Sequence, residues 1–443
     1  MGGIPRIPQE LLSQICSNLV LAPLPFDRWD YHENLKRKTM LSISLASSSL
    51  HDAVKPYLYR TVSNPDALLL RTLLDSSIAH MVQSLCVEDG TTTETDEYKP
   101  VDPNYAALLY LSMWSAMSRK GLSDKLKVDI HRGIREGLRD ALYAFLLILC
   151  PKVRLWYVGG LVNGFRNTLV ARTVQEMLAL GSGLQQVETV GLFRSEEEEE
   201  EVFDLAEAQM ILSLPNVRKV IGRGVGMPKR SEHAWRMRKC PKMRELGFKH
   251  SAVNVQGFHA LLCAYENLET LSMICAGPED GIYDSSVYGA VGNTLRQYGT
   301  KLVNLELFLH QREEGAATRA IGSLAELTSL RKLTLSYQAL FGGASEQHNR
   351  RPATWLQQVL PVSLERLDMS DSPDEPERLN EQLKALISDG RYTALRTVQV
   401  YRHDDGSSSP EDLPAGWKLK SLWQRSCLDC PAKRNSFVLT KDG

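Results

Sequence analysis

The chain has 443 residues, of which 43% are hydrophobic and 24% are charged, a composition typical of a folded protein with a large core or two to three domains. Lysine and arginine together number 52 against 53 aspartate and glutamate residues, so the formal net charge is -1 and provides no global field for attracting nucleic acid or an anionic membrane. We therefore expect neither a nucleic-acid partner nor a membrane partner.

The cysteines and the apolar runs indicate the compartment. Eight cysteines are scattered along the chain, most of them inside apolar segments, which in so large a chain favours reduced thiols over a disulfide framework. The longest apolar run, residues 141–150, is too short to span a bilayer, and the opening residues have no apolar run typical of a secretory signal. These features predict a soluble protein of the cytoplasm, the nucleus or both.

The first predicted element is an amphipathic helix in the stretch IPQELLSQICSNL, residues 7–19. Pro8 and Glu10 suit a first helical turn, because proline lacks the N–H that would be unpaired there and an acidic side chain complements the helix dipole. The apolar residues recur at helical spacing and form one stripe: Leu11, Leu12, Ile15 and Leu19.

A second helix is predicted after a polar connection. Residues 23–38 contain two prolines and many charges, which predicts a loop. An apolar pattern then continues from Met40 to Val54, and Pro56 is expected to end the helix. The stretch YLYRTV, residues 57–62, predicts a short strand or a tight turn.

These segments together resemble the F-box of fungal F-box proteins. The matching features are the start Ile-Pro-x-Glu-Leu-Leu-x-x-Ile, the stretch ISLASSSLHDAV and the ending KPYLYRTV. The resemblance implies that residues 1–62 form a three-helix unit that binds the Skp-type adaptor of a cullin-RING ubiquitin ligase. It assigns adaptor binding to eight positions: Pro8, Leu11, Leu12, Ile15, Leu19, Ile43, Leu45 and Leu50. The alternative is that these helices only cap the rest of the chain.

Beyond residue 80 a pattern of six residues recurs. Its first, fourth and sixth positions are apolar. Copies begin at residues 82, 153, 243, 268, 302, 330, 364 and 395, with weaker copies at 184–189 and 217–222. The central apolar positions from the copy at 243 onward are 25 to 34 residues apart: Leu246, Leu271, Leu305, Leu333, Leu367 and Val398. A quasi-period in this range indicates stacked supersecondary units.

Segments at helical spacing lie between the copies, including residues 256–265, 285–299, 352–360 and 376–390. A strand and a helix per repeat of about 30 residues is the leucine-rich-repeat unit. The predicted α/β fold is therefore the F-box followed, over 63–443, by an irregular leucine-rich-repeat solenoid with a parallel sheet on the concave side and helices on the convex side. A helical insertion at about 98–150 is expected as two helices joined by a charged turn. A doubly wound α/β domain is the competing fold.

Several short motifs contain residue types that can bind metals or phosphate. Cys427 and Cys430 have metal-ligand spacing but no second pair, and the histidines form no zinc-protease motif. GRGVG at 222–226 is interpreted as a flexible loop, and the glutamates at 196–201 as a solvated helix start. We expect no catalytic centre, no metal and no cofactor, although an enzyme that uses this cysteine pair with His403, Asp404 and Asp405 is a distant alternative.

Stacked repeats would expose the alternate strand residues on the concave face. We expect target binding there from a mixed set that includes aromatic and arginine anchors: Glu306, Phe308, Arg366, Asp368 and Tyr401. The resemblance implies a substrate adaptor that is not itself an enzyme, in which the F-box binds the Skp-type adaptor and the repeats hold an unknown target protein for ubiquitination. The alternative is a stand-alone repeat scaffold without a ligase role.

Overall fold

A computed structural model describes most of the chain, which divides into two compact units, unit 1 (Met1–Gly191) and unit 2 (Leu192–Gly443). The described residues are 14, 29–63, 67–88, 103–159, 168–193, 203–226, 239–275, 287–308, 320–342, 352–370, 376–402, 413–424 and 434–441. The protein is a mixed α/β structure with a large, mostly parallel sheet. The boundary predicted after residue 62 stays a prediction.

Unit 1 alternates helical segments with short strands. Its helices are α1 (Trp29–Ala46), α2 (Ser48–Leu58), α3 (Ala67–Leu73), α4 (Ser76–Ala79), α5 (Pro103–Arg119), α6 (Asp124–Arg135), α7 (Arg139–Leu149) and α8 (Leu169–Ala179). Its strands are β1 (Thr61–Ser63), β2 (Ser84–Glu88), β3 (Leu155–Gly159) and β4 (Thr189–Phe193), the last of which lies at the boundary between the units. Strands β1, β2 and β3 pair in parallel in sequence order.

The polar connection predicted at 23–38 is helical from Trp29 onward, so the loop prediction was wrong for that part. No proline or glycine occurs between Phe26 and Ala46, and the segment is rich in the good helix formers Glu, Lys, Arg and Leu. A charged composition was therefore compatible with a helix as well as with a loop.

The helix predicted between Met40 and Val54 is two helices that meet at Ser47. Ser47 has extended backbone angles, and its hydroxyl accepts a hydrogen bond of 3.1 Å from the backbone N–H of Leu50, which caps α2. Helix α2 also continues past Pro56 to Leu58, so Pro56 does not end it as predicted.

The insertion between β2 and β3 is helical as predicted, but its described part, from residue 103 onward, contains three helices, α5 to α7, where two were expected. The expected charged turn is α6, which the Ser123 side chain caps at 3.3 Å from the N–H of Leu126. Gly137 separates α6 from α7 because its φ of +80° lies in the left-handed region that glycine adopts without strain.

Unit 2 contains the longest run of parallel strands. Its strands are β5 (Phe203–Asp204), β6 (Lys219–Arg223), β7 (Val225–Gly226), β8 (Glu245–Ser251), β9 (Thr270–Cys275), β10 (Asn304–Phe308), β11 (Lys332–Ser336), β12 (Arg366–Ser370), β13 (Thr397–Arg402), β14 (Trp417–Gln424) and β15 (Arg434–Lys441). Its helices are α9 (Leu205–Leu212), α10 (Val255–Ala264), α11 (Val287–Tyr298), α12 (Tyr337–Phe341), α13 (Trp355–Val359) and α14 (Pro376–Ser388). Residues 222–226, predicted to be a flexible loop, belong mainly to β6 and β7.

Strands β6 and β8 to β13 pair in parallel with their predicted centres in register. The paired central positions form an inner ladder, and each is at most 1% exposed: Leu246, Leu271, Leu305, Leu333, Leu367 and Val398. The backbone repeats with the same regularity. The carbonyl of the residue just before a strand accepts two N–H groups of the next segment, as that of Arg331 does from Glu365 and Arg366. Because side chains alternate along a strand, the residues between ladder positions lie on the other face of the sheet.

The C-terminal end departs from the parallel pattern. Strand β15 pairs antiparallel with β13, and β14 pairs antiparallel with β15 at the edge of the sheet. Among the described helices, none is long and apolar enough to cross a membrane.

Candidate functional site

The N-terminal candidate surface is described only in part. The positions predicted to bind an adaptor from the first helix lie outside the described residues: Pro8, Leu11, Leu12, Ile15 and Leu19. The remaining three lie on α1 and α2, where Ile43 and Leu50 are half-buried and Leu45 is exposed.

Helices α1 and α2 pack on each other through a small apolar core. Met40 and Val54 are buried at its centre, with Ile43, Tyr57 and Leu58 packed against them. Ile43 is therefore partly used for packing within the helix pair.

Two leucines of α1 are left outside this core. Leu41 is 48% exposed and Leu45 is 78% exposed. Because residues four apart lie on the same side of a helix, they form one apolar strip, named here the leucine pair. Exposed leucines are ordinary at protein surfaces, and other apolar side chains of the chain such as Leu111 are exposed to a similar degree. The leucine pair differs from these in lying in the stretch predicted to bind an adaptor.

The second candidate surface is the sheet face opposite the inner ladder of unit 2. The register of β9 to β13 places five side chains side by side in what we name the polar row: Ser272, Glu306, Thr334, Asp368 and Gln399. Each of these residues lies between two inward-facing apolar residues of its strand. Because side chains alternate along a strand, the polar side chains all lie on the opposite face of the sheet.

Arg366 is held in a fixed position beside this row. Its Nε donates to both carboxylate oxygens of Asp368, at 2.9 and 2.8 Å, and its terminal nitrogen donates to Gln399 at 3.1 Å. The hydrogen bond to Asp368 is the main reason that the pKa of Arg366 is raised. The Asp368 side chain is only 5% exposed whereas that of Arg366 is 42% exposed, so the carboxylate positions a guanidinium that reaches solvent.

Three further predicted residues lie on this face. Glu306 accepts a hydrogen bond of 2.5 Å from the hydroxyl of Ser272. Phe308 and Tyr401 are both half-buried, at the ends of β10 and β13. Burial is the main cause of the raised pKa of Tyr401, followed by the negative charge of Asp368, so its phenol stays neutral and able to donate.

The predicted target-binding residues thus lie on one face of the sheet. Ser272, which orients Glu306, was not among them, although its position between the apolar Leu271 and Met273 was a usable signal. Arginine and aromatic side chains such as these are enriched at protein–protein contacts, whereas carboxylates are not.

Within the described ranges, no group of three or more His, Cys, Asp or Glu residues is placed to hold a metal ion. The pair Cys427 and Cys430 and the residues His403, Asp404 and Asp405 lie outside those ranges, and so does the glutamate run at 196–201. Comparison with known protein families and with curated proteins finds no match.

Proposed function

We propose that the protein is the substrate-recognition subunit of a Skp-cullin-F-box type ubiquitin ligase. In this proposal residues 1–62 are an F-box that docks on the Skp-type adaptor, and the strands and helices that follow are an irregular leucine-rich-repeat solenoid that holds a target protein. The protein is then an adaptor without catalytic residues of its own, which accelerates transfer by bringing the target close to the ubiquitin-charged enzyme.

The observation that carries the proposal is the exposed leucine pair on α1. A helix pair that already has its own core has no internal need for Leu45, which is 78% exposed. The sequence around Leu45 is part of the stretch that resembles an F-box, and burying one leucine against a partner contributes about 1.5–3 kcal/mol.

The sheet face of unit 2 supports the second half of the proposal. Its exposed anchor is Arg366, fixed by Asp368, and its aromatic members are Phe308 and Tyr401. Such a prearranged surface binds a folded or extended protein segment with little loss of side-chain entropy.

Co-purification of the Skp-type adaptor with the full-length chain tests the docking half. Leu45→Asp is expected to weaken adaptor binding by about 2 kcal/mol or more, roughly thirtyfold, because it places a charge in an apolar contact. Leu111→Asp is the matched control, since Leu111 is also an exposed leucine of a unit 1 helix, at 68%. The paired change Leu11→Asp with Ile15→Asp is expected to abolish binding.

Each outcome assigns the protein to one class. If the unaltered chain captures the adaptor and Leu45→Asp does not, the N-terminal helices are a docking element. If the unaltered chain captures no adaptor, the ligase proposal is wrong and the protein is a stand-alone repeat scaffold. If the unaltered chain and the Leu45→Asp variant capture the adaptor equally well, the leucine pair does not contribute to adaptor binding.

A further inference from the structure

Basic side chains collect on the sheet face that carries the polar row, from β11 to β14. Lys332 and Arg366 are paired across β11 and β12, and the same register continues through threonines of β13 and β15 to Lys418. Lys420 follows two residues later on β14, so its side chain lies on the same face. These four residues are named here the basic patch.

The lysines of the basic patch are more exposed than the acidic side chains beside them. All three lysines are exposed to solvent. Strands β9 to β15 contain two acidic residues, of which Glu306 is half-buried and the Asp368 side chain is 5% exposed. Asp368 is paired with Arg366 at 2.8 Å, so its charge mainly offsets that of the guanidinium. The face therefore presents an excess of positive charge, although the whole chain has a formal net charge of -1.

The dimensions of the basic patch define the length of a partner that covers it. From β11 to β14 the sheet order crosses four inter-strand spacings of about 4.8 Å, roughly 19 Å in all. An extended chain spans this distance in about six residues, at about 3.3 Å per residue. An acidic segment of that length reaches Lys332 at one end and Lys418 at the other.

Glu306 favours a protein segment over nucleic acid as the acidic partner. It lies on β10, next to the strand of Lys332, and its carboxylate accepts a hydrogen bond from the hydroxyl of Ser272. A nucleic acid has a phosphate at every nucleotide, which this carboxylate would repel. A protein segment can place an amide N–H or a basic side chain there while its acidic residues contact the basic patch. The aromatic Phe308 and Tyr401 on the same face also suit a protein contact.

We propose that the basic patch binds an acidic segment of a target protein, at least about six residues long and rich in aspartate or glutamate. A hydrogen-bond donor of that segment lies at Glu306. The inference rests on the target-binding half of the proposed function, to which it adds the chemistry of the target.

Fluorescence polarisation with the full-length protein and labelled peptides tests this charge selectivity. The probe is a peptide of repeated Ser-Glu-Glu units, about twelve residues long, and its neutral counterpart has Ser-Gln-Gln units. The acidic peptide is expected to bind at least about tenfold more tightly at low salt, and its affinity is expected to fall as sodium chloride is added. A single-stranded oligothymidylate of the same net charge is the nucleic-acid comparison and is expected to bind more weakly.

Paired lysine variants locate the binding site on the basic patch. Lys332→Gln with Lys420→Gln is expected to weaken binding of the acidic peptide about fivefold, because two ion pairs are lost. Lys125→Gln with Lys152→Gln is the matched control, since these are exposed lysines of unit 1 and the change in net charge is the same. Circular dichroism checks that both variants are folded.

Glu306→Gln gives a change in the opposite direction. Removal of the negative charge beside Lys332 is expected to tighten binding of the all-acidic peptide about threefold. A variant that merely damages the fold would not gain affinity, so this result separates a charge effect from a structural one.

Three results would overturn the inference: equal binding of the acidic and neutral peptides, equal losses in the two lysine pairs, or tighter binding of the oligothymidylate. Capture of the Skp-type adaptor is measured with the same preparation. Adaptor capture without peptide selectivity overturns the charge inference alone. Peptide selectivity without adaptor capture supports the inference for a stand-alone repeat scaffold and overturns the ligase proposal.

Discussion

Gly292 offers a direct test of how closely the helices and strands of unit 2 pack. It lies within α11, and a Cβ atom at this position would stand 1.7 Å from the carbonyl oxygen of Ile321 and 2.8 Å from its carbonyl carbon. The helix therefore contacts backbone where any side chain would overlap it. Gly292→Ala is the smallest perturbation that probes this contact.

The backbone at Ile321 has little freedom to retreat. Its N–H donates to the carbonyl of Ala339 at 2.8 Å, and its carbonyl accepts from the guanidinium of Arg296 at 3.2 Å. Relief of the overlap requires a movement of more than about 1 Å, which breaks one of these bonds or tilts α11. Overpacking of this kind costs about 1–3 kcal/mol or more, against a gain of about 1 kcal/mol from the better helix propensity of alanine. We expect a net loss near the upper end, about 2 kcal/mol.

Hydrogen exchange resolved by peptide is the suitable assay, because a chain with two units need not unfold in one step. Amides of residues 287–298 and 320–336 in Gly292→Ala are expected to exchange at least about tenfold faster, since 1.4 kcal/mol corresponds to a factor of ten. Gly390→Ala is the matched control, as its new Cβ would meet no atom within 4 Å. Equal protection of both regions in Gly292→Ala and in the unaltered chain would refute the packing argument.

Changes at two further sites, one in each unit, test other parts of the structure. Asp140 accepts hydrogen bonds of 2.5 and 3.0 Å from the first two N–H groups of α8, so Asp140→Ala is expected to destabilise unit 1 by about 1–2 kcal/mol in urea unfolding. Burial raises the pKa of Asp140, so the native state keeps its proton to higher pH than the unfolded chain does. The contribution of this group to stability therefore falls as the pH rises from the unfolded value of about 3.9 through the native pKa, and Asp140→Asn is expected to remove that slope while retaining an acceptor. In unit 2, Arg366→Ala leaves the buried Asp368 carboxylate without its cation and is expected to cost about 1–3 kcal/mol. The double variant with Asp368→Ala is expected to lose less than the sum of the single changes, and strict additivity in the cycle would contradict the described pair.

The inner ladder was predictable because buried parallel strands impose the same apolar spacing at every copy. Leu271, Leu305 and Leu333 were identified from sequence and are paired in the sheet.

The weak copy at 184–189 was placed three residues too early. Leu184 is a turn residue with φ of +60°, and β4 begins only at Thr189. A buried leucine in a turn has the same appearance in sequence as one at the start of a strand.

Helix α6 was missed because its charged residues were interpreted as a turn. Local signals for a helix were present, since Ser123 caps it and the buried Leu126, Ile130 and Ile134 recur every four residues. The sequence order hides only a tertiary contact, in which the carboxylate of Glu176, 53 residues away, accepts from both the N–H and the hydroxyl of Ser123 at 2.9 and 2.6 Å. The outward residues Arg366 and Asp368 could be placed on one face from alternation, but their relative exposure could not. A polar residue on that face can contact a partner directly or can position a neighbouring side chain. Which of the two it does depends on its neighbours in adjacent strands, and the sequence alone does not show these neighbours.

The two reversed strands at the C-terminal end limit what the sheet can attach to. Strand β14 is the last in the sheet order, and no other described strand pairs with its outer side, which makes it the kind of edge that another chain could extend. Lys418 and Lys420 are exposed along it, which places repelling charges wherever two copies would align edge to edge. Lysines at a sheet edge are one of the devices that disfavour edge-to-edge pairing, so this edge is ill suited to extending the sheet with a second copy.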